Sequence, residues 1–221
     1  MSGPSAPSGS GPSAGRTWLL LGLAFAPYYL NDFAFIRLAA DAPAWTVYAA
    51  DYLSRIAGLG ILLMVPELAR VARPPDPGPL VWAWIAPPVL ALLLLNDAVD
   101  YFIARPLDAL LPEAVLFRYP RLGPGSLYYL DVTVGLLLVS ISEELLARRV
   151  AARLLAELGW RPAAIVVVPA LAFGLMHWSM GLGQVVTTAL IGMALMAIYL
   201  YWRSLTLAVI AHYVLVLWIF I

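Results

Sequence analysis

Glu143 and Glu144 lie side by side in "SISEELLARRV", straight after the apolar run "DVTVGLLLV", and the chain's two histidines, His177 and His212, also fall in apolar stretches. Carboxylates and imidazoles move protons near neutral pH. Brought together, they could activate a water molecule as general base and steady the charge that develops on a carbonyl oxygen. The same three groups could ligate Zn²⁺ while leaving a position for water, although no "HExxH" is present. An ionisable group inside a membrane span is costly and marks a bundle interior or a wet cavity. The elements that carry these residues therefore decide what they can do.

Hydrophobic residues make up 63% of the 221, charged residues only 12%, and the mean hydropathy is +0.88. That composition excludes a water-soluble domain and identifies an all-α, polytopic integral membrane protein. Basic and acidic residues balance at 13 each, which gives no surface for nucleic acid. Every basic residue is Arg, a habit of GC-rich genomes that suggests a bacterial chain in the cytoplasmic membrane. With no Cys, thiol nucleophiles and cysteine metal sites are excluded.

Residues 1–16, rich in Ser, Gly, Pro and Ala, read as a disordered tail. Seven segments approach the roughly 20 apolar residues needed to cross a bilayer: 17–36, 42–66, 79–103, 128–158, 162–180, 184–202 and 204–221. The first carries a small-x-small sequence, Ala24-Phe25-Ala26, but Pro27 after it argues for an uncleaved span. The second is interrupted by Asp51 and Arg55, spaced to pair within one helix. Pro87-Pro88 predicts a kink in the third. Residues 104–127 read as an interfacial helix plus loop. Arginine placement puts the N-terminus inside.

Gly159 suits a left-handed cap and Pro162 a helix start, so the fourth and fifth helices form a hairpin turning at Gly159-Trp160-Arg161. Measured from that turn, Glu143 lies roughly 22 Å up one arm and His177 at the same height on the other. His212 stands on the last span, about 12 Å above the turn at Arg203-Ser204. Other groups have structural readings. Glu144 and Arg148 are spaced to form a helix-steadying salt bridge. Phe173 packs on the His177 face, and Asp97, Asp100 and Asp131 sit near interfaces or bond between helices.

The order Glu143-Glu144-x-x-x-Arg148, Phe173-x-x-x-His177, then His212 resembles the CPBP (Abi) family of intramembrane proteases, which includes the CAAX-processing endopeptidases. The resemblance covers roughly residues 126–221, as a four-helix catalytic core; residues 17–125, the N-terminal helices and interfacial segment, add nothing to it. It implies that Glu143 is the general base, that His177 helps to position the water, that Glu144 and Arg148 support, and that His212 donates to the oxyanion. It implies a membrane-associated peptide or protein substrate in the lipid bilayer and no cofactor, with zinc as the alternative. The family's usual Asn or Asp four residues after the last histidine is replaced here by Val216. Gln184, Thr187, Thr188 and Ser142 are candidate substitutes. That departure keeps open a non-catalytic immunity factor or scaffold. A proton-relay transporter is the remaining reading, though neither paired halves nor matching broken helices are visible.

Overall fold

The computed structural model describes residues 13–73 and 85–221. Most of the expected tail, residues 1–12, and the start of the expected third span, residues 79–84, lie outside them. Among the described residues the chain is helical, with one isolated bridge, Val115 to Met180, in place of any sheet. The helices are α1 (Ala14–Asp41), α2 (Ala44–Met64), α3 (Pro66–Ala72), α4 (Ala86–Leu110), α5 (residues 126–157), α6 (Pro162–Leu175), α7 (Leu182–Trp202) and α8 (Leu205–Phe220). Four segments meet both the length and the hydropathy needed to cross a membrane: Ala14–Leu38, α2, α4 and α7. Helices α6 and α8 are apolar but shorter.

Local chemistry explains the boundaries. Ser13 caps α1 by accepting from the Arg16 amide, and Arg16 ion-pairs with Glu67 of α3, so residues 14–16 are helix rather than tail. Helix α2 runs unbroken through Asp51 and Arg55, which pair at 3.0 Å. Among the described residues Pro87 and Pro88 interrupt no helix. They stand in the first turn of α4, where a missing N–H leaves no bond unmade. The hairpin turns where expected, with Gly159 at φ +74° and Pro162 opening α6. Within α5, π-type turns at Asp131–Gly135 and Leu145–Val150 flank the segment that carries both glutamates.

Helix α6 ends at Leu175, earlier than expected. Residues 176–181 leave the helix because other elements hold them. Ser179 accepts from the amides of Leu116 and Phe117 (2.8 and 2.9 Å) and donates its own to Asp32 of α1 (3.0 Å). His177 thus sits on a pinned turn just past the helix and not inside an apolar span.

Lipid offers little hydrophobic drive between helices, so close approach of small residues matters. Helices α6 and α7 meet at Gly174, where an added Cβ would lie 2.6 Å from the Val185 carbonyl oxygen and 2.8 Å from the Ala189 Cβ. Gly174→Val is therefore expected to cost about 1–3 kcal/mol by overpacking and to lower the melting temperature of the purified protein. An unchanged melting temperature would contradict this packing.

Candidate active site

Helix α5 delivers Glu143 and Glu144 to the bundle interior, where they are 2% and 0% exposed. The two carboxylates share His212 and otherwise take different partners. Glu144 Oε1 lies 3.1 Å from Arg148 and 2.9 Å from His212 Nδ1. The salt bridge read within the helix is thus present, and it has a third member on α8. Arg148, fully buried, also lies over the Phe173 ring at 4.4 Å, a cation–π contact worth up to about 2 kcal/mol when desolvated. Phe173 meets both imidazoles edge-on, with centroids 5.6 Å from His177 and 6.1 Å from His212. It spaces the two histidines.

Glu143 faces the other way. His212 Nε2 is 3.8 Å from its Oε2, and Arg55 of α2 is 2.9 Å from its Oε1. Arg55 in turn holds Asp51, which accepts from the Asn31 amide at 3.0 Å. A continuous buried chain thus runs from α1 through α2 to the carboxylate on α5. The Asp51–Arg55 pair had looked like an interruption in a span. Two charges inside an apolar helix were themselves the signal that this helix faces a polar site.

The partner of each imidazole identifies a donor nitrogen. A carbonyl or carboxylate oxygen only accepts. His177 therefore donates from Nδ1 to the Phe173 carbonyl oxygen (3.2 Å), which leaves Nε2 with its lone pair. His212 donates from Nδ1 to Glu144, which leaves Nε2 toward Glu143. Glu143, His177 and His212 all line one cavity of about 1080 Å³. The cavity extends from these groups to exposed Arg105 near the end of α4 and to exposed Arg118 and Arg121 in the segment after it. Glu144, Arg148 and Phe173 support it from behind, and of these Phe173 reaches the wall.

The candidate donors divide. Ser142 donates to the Val139 carbonyl, and Gln184 donates to Thr188 at 3.1 Å. Thr187 is buried with no partner for its hydroxyl. Gln184, Thr187, Thr188 and Val216 all line the cavity. Asp131 accepts from Tyr52 at 2.7 Å, bonding α5 to α2. Asp97 accepts from Trp218, and Asp100 pairs with Arg105.

A family model described as "Rce1-like: Type II CAAX prenyl endopeptidase Rce1-like" matches residues 125–218. The stretch with both glutamates and both histidines is Rce1-like. This agrees with the CAAX-protease resemblance read from the motifs, and the family is one of endopeptidases, which supports a protease in a multi-pass membrane protein. No curated protein and no solved structure matches the chain. Asn31, Asp32, Asp51 and Arg55 stand outside the Rce1-like stretch yet line its cavity.

Asp32 both lines the cavity and holds the turn that carries His177. Removing the acceptor for the Ser179 amide in Asp32→Ala is expected to loosen residues 176–181 by about 1.5–3 kcal/mol, the worth of a charged hydrogen bond. Amide exchange across that turn would accelerate about tenfold to a hundredfold. Exchange at the wild-type rate would show that the turn holds without Asp32.

Proposed function

We propose that this protein is a glutamate-dependent intramembrane endopeptidase that cuts a membrane-associated peptide or protein precursor near a terminus. The observation that carries the reading is the convergence of Glu143, His177 and His212 on one cavity. Glu143 takes a proton from a water molecule that also donates to His177 Nε2. The hydroxide adds to the scissile carbonyl carbon. His212, with both ring nitrogens protonated and Glu144 as counter-charge, donates from Nε2 to the oxyanion. Collapse breaks the C–N bond, and the proton held by Glu143 passes to the leaving amine. General-base and oxyanion assistance of this kind each contribute about two to four orders of magnitude.

Zinc fits these residues poorly. Arg55 sits 2.9 Å from Glu143, where a dication would meet a guanidinium, and His212 Nδ1 is committed to Glu144. Among the described residues no three His, Asp or Glu groups are arranged to hold a metal ion. The metal-free mechanism is therefore the reading the geometry favours. An immunity or scaffold role would need none of these groups aligned, and their alignment argues against it. The cytoplasmic membrane of a bacterium is the proposed location.

Proteoliposomes containing the purified protein provide the test. One probe is a quenched fluorescent peptide with a farnesylated cysteine and three further residues, the substrate class in the family description. A panel of unprenylated, membrane-anchored peptides is the other. Release of a terminal fragment from either, undiminished by a chelator, is expected. No release from any probe would overturn the protease reading, and loss to chelator with recovery on adding zinc would overturn the metal-free mechanism.

A further inference from the structure

An amide on α4 faces the same cavity from outside the Rce1-like stretch. Asn96 is 9% exposed and lines the cavity, as do the apolar Ile191, Leu215 and Val216. Among the described residues the one hydrogen bond of its side chain is a 3.4 Å contact from Nδ2 to neighbouring Asp97, at the limit of hydrogen-bond range, which leaves at least one N–H uncommitted there. A buried amide that satisfied a purely structural need would be expected to bond more fully.

Its height in the bundle follows from packing. Helices α4 and α7 are antiparallel. Gly183 lies against the Ala104 backbone and donates to Asp108, while Leu92 packs in one cluster with Ile191, Leu195 and Ile198. Counting equally back from Ala104 and forward from Gly183 brings Asn96 opposite Ile191. A Cβ added at the next residue, Gly192, would lie 3.1 Å from the Phe173 ring, which meets His212 edge-on. By helical rise Ile191 and Val216 stand at equal heights from the turn at Arg203-Ser204, so Asn96 lies level with Val216, about one turn nearer the mouth than His212. Thr187, the other uncommitted donor on this wall, lies about one turn farther toward the arginine-lined mouth.

We infer that Asn96 is a catalytic residue whose side-chain N–H joins His212 in donating to the oxyanion. The inference rests on the endopeptidase reading. Hydrolysis at Glu143 places negative charge on the carbonyl oxygen, and a preorganised donor in a water-poor site acts on that charge at no reorganisation cost. On this side α8 supplies only apolar Leu215 and Val216, and Asn96 is the amide that α4 brings to the same cavity.

The test follows the rate at which Glu143-dependent protein termini appear in cells carrying wild type, Asn96→Ala, Asn96→Asp or Glu143→Gln, each at matched membrane abundance and melting temperature. Asn96→Asp keeps the shape and the acceptor but loses the N–H donors. Both Asn96 variants are expected to slow the appearance of termini by about 10²-fold. A rate within about threefold of wild type in Asn96→Asp, whatever Asn96→Ala does, would overturn the inference and leave the protease reading intact. If Glu143→Gln removes no termini, the protease reading itself fails and the inference falls with it.

Discussion

Glu143→Gln is expected to reduce turnover by about 10²–10⁴-fold, the contribution of a positioned general base, while the protein still inserts and folds. The amide keeps the volume and an oxygen for Arg55 but has no basic lone pair to take a proton from water. Folding should survive because Asp51 still neutralises Arg55 at 3.0 Å and because Glu144, Arg148 and His212 form a separate set behind the site. The measurement is single-turnover cleavage in proteoliposomes beside the melting temperature of the same preparation. Turnover within tenfold of wild type would remove Glu143 from the chemistry.

Arg55→Ala should have the largest effect on stability. Arg55 bridges two buried carboxylates on different helices, Asp51 on α2 and Glu143 on α5, and lies 5.0 Å from the Tyr28 ring centre on α1. Removing one member of a buried ion pair leaves uncompensated charge and costs about 3–5 kcal/mol. In a Glu143→Gln background the same change should cost less, because the partner on α5 is already neutral; the difference between the two losses measures the coupling. Denaturant unfolding in detergent supplies all four stabilities. Equal losses in both backgrounds would mean that Arg55 serves Asp51 alone.

The hairpin of α5 and α6 was legible in the sequence because its punctuation is local. Gly159 supplies a left-handed cap and Pro162 a ready first turn. The equal heights expected for Glu143 and His177 assumed helical rise along both arms, and α6 stops at Leu175, two residues short of His177. The Pro87-Pro88 pair was ambiguous, since proline both breaks a helix interior and opens a helix, and only the start of α4 at Ala86 separates the two. The link from Arg55 to Glu143 could not be read at all. Periodicity reports which face of α2 is polar but not which helix that face meets, and the pair at Asp51 gave Arg55 a sufficient local partner. His212 choosing Glu144 over Glu143 has the same origin: adjacent residues on a helix diverge by about 100°, and only the position of α8 decides which carboxylate takes the imidazole. The turn that carries His177 was missed because its ties reach back to Asp32 and to the loop at Leu116 and Phe117, far away in sequence.

The most direct test is a quantitative comparison of protein termini in membranes from cells carrying wild type, Glu143→Gln or His177→Ala at equal abundance. A catalytic cavity predicts a defined set of termini that is present with wild type and missing with both variants. Identical termini in all three would contradict it, whatever the side chains' arrangement.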